Sequence, residues 1–296
     1  MATTTSKMIA ATRGLLQSWS LDEEQSTTLA ADMGVGDLSF TITTARGIAT
    51  GVSPGIIEID EELMYCDSIS STGGTITAWG RGHLETVPAA HVTGTRIISQ
   101  PTFPRAKILD EMNQAMARIF PDVFAVKVFN TTTTLPQITY DLPDDAEWVL
   151  AGKWQRPDGR LYWQSLQRMR MSPLGSDGVT VDVADKVLPG RPIQFIYAAK
   201  PSPLVNQSDD FETTTGLDIG IQDVVTLGAA SALTVSQELS RLQMSSVEQQ
   251  NRAQLVAPSA ALTSSRYLGQ LFQQRLDEER RSLQRLYPPR VNRSWY

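Results

Sequence analysis

The stretch Gly55-Ile56-Ile57-Glu58-Ile59-Asp60-Glu61-Glu62-Leu63-Met64-Tyr65 sets the texture of the first third of the chain. Ile57 and Ile59 alternate along one run, and Leu63 and Tyr65 resume the alternation after Asp60-Glu61-Glu62, which reads as an acidic turn. Alternation with period two marks a half-buried strand, so the stretch predicts two strands and a tight connection. The same texture extends outward from 27 to 99. Leu38, Phe40 and Ile42 alternate with Ser39 and Thr41. Gly73-Gly74 is hairpin chemistry between 67–71 and 75–79, Gly34-Val35-Gly36 is a turn, and Arg96-Ile97-Ile98-Ser99 reads as a closing strand. Residues 27–100 are therefore a predicted β-domain of about 70 residues, near the lower size at which an apolar core suffices.

On the N-terminal side, 1–26 reads as an arm or helix. Met8, Ile9, Leu15, Leu16 and Trp19 are its apolar residues, and Gly14 weakens the helical reading. On the other side, 101–122 holds a helix. Pro104 opens it, Ile108, Met112, Ala115, Met116 and Ile119 keep helical spacing, and Pro121 stops it. Residues 123–200 return to β texture. Val126 and Val128, Ile138 and Tyr140, Trp148 and Leu150, Leu161 and Trp163, Val179 to Val183, and Ile193 to Tyr197 all alternate. Pro157-Asp158-Gly159 and Ser176-Asp177-Gly178 supply turns between such runs. Five to seven antiparallel strands are expected there, as a small sandwich or barrel.

Residues 201–216 are polar, Pro-containing and aperiodic, and read as a linker. Residues 217–287 are helical: Ile221, Val224, Val225, Gly228, Ala232, Val235, Leu239 and Leu242 describe one stripe. Leu268, Leu271, Phe272, Leu276, Leu283 and Leu286 describe a second, longer one, ended by Pro288-Pro289. Residues 288–296 form a basic, aromatic tail. The fold class expected is α+β: two small antiparallel β-domains plus a C-terminal helical bundle with a long terminal helix and extended tail.

Composition narrows the function. No run of 18 apolar residues exists, so no membrane-spanning helix is expected, and Met1 to Ala10 does not read as a secretory signal. The single Cys66 has no partner within the chain, which makes a reducing cytoplasm the default folding compartment. Cys66 reads as a small buried hydrophobe, and the Trp79, Trp148, Trp154 and Trp163 side chains as core or interface packing. His83 and His91 lack metal-pair spacing and are expected at the surface or in turns. The acid clusters Asp60-Glu61-Glu62, Asp144-Asp145 and Asp209-Asp210 fall in predicted turns or the linker, where carboxylates are common. No phosphate loop, nucleophile elbow or dinucleotide fingerprint occurs, so neither catalysis nor a cofactor is expected.

Charge is distributed unevenly. Residues 261–296 hold Arg266, Arg275, Arg280, Arg281, Arg285, Arg290 and Arg293 against Asp277, Glu278 and Glu279. Seven arginines less three acids leave that end at +4 and, from a total of −6, the rest at −10. An Arg-rich end without lysine favours planar, multi-donor contacts and reads as a docking element.

Two motifs extend these readings. The 55–65 run is followed by Ala78-Trp79-Gly80-Arg81-Gly82-His83-Leu84-Glu85-Thr86 and by Ala89-Ala90-His91-Val92-Thr93-Gly94-Thr95. Together they resemble a small β-domain that recurs in structural proteins of tailed bacteriophages. Residues 219–242, the segment SVEQQNRAQ at 246–254, and the run from Arg266-Tyr267-Leu268 to Leu286-Tyr287-Pro288-Pro289 resemble the helical core of phage head–tail connector (adaptor) proteins. The resemblance spans roughly the first 100 and last 80 residues, and no motif matches 123–200. It implies a structural, non-enzymatic virion subunit of the phage neck, assembled in the host bacterial cytoplasm. It implies a ring of twelve copies between the portal and a downstream neck or tail protein, through which genomic DNA passes without sequence-specific binding. The residues it assigns to portal docking are Arg280, Arg281, Arg285, Tyr287, Arg290, Arg293, Trp295 and Tyr296. The alternatives are another virion component (capsid decoration, tail or baseplate), a carbohydrate-binding or hydrolytic tail protein, and a DNA binder, which the net charge of −6 opposes.

Overall fold

A computed structural model describes residues 3–17, 25–44, 55–76, 80–134, 138–156, 162–175, 178–242 and 260–288. The fold is mixed α+β with antiparallel sheets, and most of the buried apolar residues among those described fall into three clusters. Trp19, Trp79, Leu161, Pro157-Asp158-Gly159, Ser176-Asp177 and the 246–254 segment lie outside the described residues, as do the side chains of Leu239 and Leu242.

The first cluster is helical. Helix α1 (Thr5–Gln17) buries Met8, Ile9 and Leu16. Gly14 does not interrupt it, because burial of that apolar stripe outweighs a glycine penalty of about 1 kcal/mol. Helix α2 (Arg105–Ile119) buries Ile108, Met112, Ala115, Met116 and Ile119, the stripe expected from spacing. After α3 (Phe211–Thr215), helices α4 (Gln222–Leu242) and α5 (Ala260–Leu286) complete the group. Side chains of α1, α2, α3, α4 and α5 share one core. Gly228 of α4 faces Ala115 and Phe272, where a Cβ would sit 3.1 Å from each, so glycine permits the close approach.

Residues 201–216 are not a free linker. Leu204, Phe211 and Thr215 are buried. Asp210 caps α3 by accepting from the Thr213 N–H, and Gly216 ends it in the left-handed region at φ 73°. The Asn113 side chain both donates to and accepts from the Leu204 backbone. Short polar residues hid this order because local hydrogen bonds rather than a periodic stripe create it.

The second cluster fills a six-stranded sheet: β1 (Gln25–Thr28), β2 (Ser39–Thr41), β3 (Gly55–Ile59), β4 (Glu62–Ile69), β5 (Gly73–Ile76) and β6 (Arg96–Ser99), in the order β1-β6-β3-β4-β5-β2. Its register corrects the sequence reading. Ile59 pairs with Glu62 and Ile57 with Met64, so the β3–β4 turn holds two residues, not three. Asp60 accepts the left-handed conformation, at φ 53°. A one-residue change of register exchanges the faces of a strand. Met64 and Cys66 therefore line the core beside Ile57, while Leu63 lies opposite Glu58 on the other face, and Glu62 enters the core side. Gly73 and Gly74 sit in β5 rather than in the turn. A Cβ on Gly74 would overlap the Phe40 ring and one on Gly73 the Phe40 carbonyl. The turn itself is closed by Ser70, which accepts from the Gly73 N–H at 3.2 Å.

The third cluster lies between a four-stranded and a three-stranded sheet. The first contains β7 (Ala125–Thr132), β9 (Ala146–Gln155), β10 (Trp163–Ser165) and β13 (Pro192–Ala199), in the order β10-β9-β13-β7. The second contains β8 (Thr139–Asp141), β11 (Met169–Gly175) and β12 (Gly178–Val183), in the order β11-β12-β8. Ile193, Phe195 and Tyr197 meet Tyr140, Val181 and Val183 across the gap, with the Tyr140 and Phe195 rings 5.5 Å apart. In β7 the inward residues are Ala125 and Phe129, while Val128 is 50% exposed. Pairing of Phe129 with Phe195 fixes that face, whereas alternation alone put Val126 and Val128 inside.

Candidate docking surfaces

The Arg-rich helix α5 is anchored by Leu268 and Leu276, with Phe272 and Leu283 packed against the same core. Its arginines divide into two groups. Arg275 is paired along the helix with Glu278 and Glu279, and Arg280 Nε lies 3.4 Å from Asp122 Oδ1. These contacts tie α5 to itself and to the α2–β7 connection. Arg281, Arg285 and Leu286 are exposed, Leu286 to 70%, and Tyr287 is half-buried. Of the residues assigned to portal docking, Arg281 and Arg285 thus hold their charge at the surface, and Arg280 is engaged. Arg290, Arg293, Trp295 and Tyr296 lie outside the described residues.

The second surface grows from Glu62. With β4 in its observed register, the Glu62 carboxylate is buried beneath two loops, 33–38 and 80–95. Arg81 grips it with two donors, Nε to Oε1 at 2.6 Å and NH2 to Oε2 at 2.8 Å. The backbone N–H groups of Gly82 and Ala89 donate to it at 3.1 and 3.0 Å. His91 Nε2 lies 3.0 Å from Oε2, and His91 Nδ1 lies 3.0 Å from Asp60 Oδ2. Arg81 also donates to the carbonyls of Gly34, Asp37 and Ala89, which joins the two loops. Thr86 Oγ1 accepts from the Leu63 N–H at 3.0 Å. Glu62, Arg81, Thr86 and His91, from all three segments that carry the β-domain resemblance, meet here.

His91 is therefore buried, 3% exposed, and not the surface histidine expected from its spacing. Burial alone would lower its pKa, but the hydrogen bonds and charges of Asp60 and Glu62 outweigh burial and raise it to about 9. For Glu62, burial pushes upward, and the hydrogen bonds from His91, Arg81 and Ala89 prevail and hold it at about 2. Both groups are charged at neutral pH. The loops they brace present Val35, Leu84, Val87 and Val92, each more than half exposed. Leu84 and Glu85 stand at positive φ, 53° and 66°, a conformation costly for residues with a Cβ.

A third ionic contact joins the first sheet to the helices. Glu58, 2% exposed, accepts from Arg13 NH2 at 2.8 and 3.1 Å and from the Arg105 N–H at the start of α2, at 2.7 Å. Arg13 also donates to the Phe103 carbonyl at 2.7 Å. Burial raises the Glu58 pKa despite Arg13. Arg13 and Glu58 are 45 residues apart, and no spacing rule connects them. His91 had one legible sign, its place in the Ala-Ala-His motif.

Cys66 is buried, with its thiol directed at the carbonyls of Ser68 and Thr75, and burial raises its pKa. Among the described residues, no group of three His, Cys, Asp or Glu side chains could hold a metal ion, and no helix is long and apolar enough to cross a membrane. No protein-family model matches the chain, and no curated protein matches it.

Proposed function

We propose that the chain is a structural subunit of a tailed-phage neck, a ring-forming connector between the portal and the tail. The observation that carries this reading is the end of α5, where Arg281, Arg285 and Leu286 are exposed on a helix whose preceding turns are anchored in the core. A rigid helix that presents guanidinium groups beside an apolar side chain suits a protein partner better than open solvent. The braced loops over Glu62 support the reading as a second, preformed contact surface for a neighbouring copy or the next tail component.

The test is electron microscopy of purified portal mixed with this protein. Truncating α5 would remove Leu268 and Leu276 from the core. The full chain is instead compared with Arg281→Glu/Arg285→Glu. The full chain is expected to add a ring to the portal and the double variant to leave the portal bare. No ring with the full chain, and binding to capsid or tail tube instead, would replace the neck by another place in the virion.

A further inference from the structure

At one end of the third cluster, the β10–β11 and β12–β13 connections border an open cleft of about 430 Å³, within the size range of small-ligand sites. Trp154, Arg156, Gln164, Gln167, Asp185 and Lys186 line it. Its wall is built rather than incidental. Asp185 Oδ2 accepts from the backbone N–H groups of Gln167 and Arg168 at 2.7 and 2.8 Å, and the Ala184 N–H donates to the Arg168 carbonyl, so the two connections are fastened together. Beneath them, Leu166 and Met169 pack onto the bare backbone of Gly152, where a Cβ would collide with both.

Apart from Asp185, the long polar side chains of the wall are uncommitted. The side chains of Arg156, Gln164, Gln167 and Lys186 find no hydrogen-bond partner among the described residues. Gln164 pairs with Trp154 across β10 and β9, and the Arg156 N–H donates to the Tyr162 carbonyl in the same register. Cross-strand pairing therefore puts the Trp154 ring and the Gln164 amide side by side in the wall. An aromatic face, two planar amides, a guanidinium, an ammonium and one oriented carboxylate surround one space.

We propose that this cleft binds an acidic oligosaccharide, a pyranose chain bearing carboxylate groups. The amides and Asp185 match adjacent hydroxyls, which both donate and accept. Trp154 offers an aromatic surface to the ring. Arg156 and Lys186 outnumber Asp185 and favour a carboxylate on the sugar.

The test is calorimetry of the full chain with tri-galacturonate, with neutral galactotriose and with a short oligo-dT. Tri-galacturonate is expected to bind at least about tenfold tighter than galactotriose, a difference of about 1.4 kcal/mol. Gln164→Ala/Gln167→Ala and Lys186→Ala alter exposed side chains and should each weaken binding by about tenfold or more with the circular dichroism spectrum unchanged. No binding of tri-galacturonate at millimolar concentration, equal binding of galactotriose, preference for oligo-dT, or binding indifferent to both variants would each overturn the proposal.

Discussion

The two β-regions solve the same problem with opposite materials. The first, built on the six-stranded sheet, buries Glu58, Glu62 and His91. The second, between the four- and three-stranded sheets, buries aromatic and aliphatic residues, and Thr133 is the only buried polar residue among its described positions. Its ion pairs lie at the surface: the side chains of Lys127 and Asp145 are 34% and 43% exposed, and those of Lys200 and Glu147 67% and 34%. The difference reflects what each region holds. The first must fix two long loops and lean on the helices, and directional bonds to a few buried charges achieve both. The second closes two sheets on each other, for which apolar packing suffices. A buried charge that has lost its partner is costly, whereas a trimmed apolar core loses only contact.

That contrast can be broken in four ways. The largest expected effect is that of Glu62→Gln, which leaves Arg81 and His91 buried without their shared counter-charge. It should cost about 3–5 kcal/mol in urea denaturation followed by circular dichroism. A loss below about 1 kcal/mol would mean that water, not Glu62, compensates these groups.

The second lies in pH. The folded pKa of His91 is raised to about 9, so its contribution is complete below its ordinary value near 6.5 and fades as pH rises through 9. Glu62 is held at about 2, so its contribution is complete above its ordinary value near 4.5 and fades as pH falls toward 2. Stability should therefore fall between pH 6.5 and 9.5 by on the order of 2–3 kcal/mol, and His91→Gln should flatten that fall. An unaltered slope in the variant would assign the pH dependence elsewhere.

Third, Ile193→Val in the second core should cost about 0.5–1.5 kcal/mol, equally at pH 6 and pH 9. Dependence on pH would place ionic coupling in the region described as apolar. The smallest effect is expected of Lys127→Ala. A double-mutant cycle with Asp145→Ala should return about 0–1 kcal/mol, screened by salt. A coupling well above that would erase the distinction between the two regions.

Much of the architecture was legible, because it follows from local periodicity. The α2 stripe from Ile108 to Ile119, the alternation of Ile193, Phe195 and Tyr197, and the span of α5 each need only neighbours along the chain. The candidate surfaces were legible in part. The residues of the Glu62 network were visible as a motif, but their roles were not. Counting three turn residues at 60–62 left Glu62 in solvent, and pairing of Ile59 with Glu62 moved it inside. His91 could not be placed until Met33 paired with it and brought its loop over β4. The cleft beside Trp154 had no local sign, since its residues come from three separate stretches.

By itself, then, the sequence determined the α+β class, the helical and strand stretches, the uneven charge and the buried place of Cys66, because each depends on composition or on period. Tertiary structure alone decided the register of β3 with β4, the union of α1 and α2 with the C-terminal helices in one core, the Arg13–Glu58 contact and the division of the α5 arginines into engaged and exposed. The reason is physical. Period and propensity act over a few residues, whereas which face is buried and which charge finds a partner depend on segments tens of residues apart meeting in space.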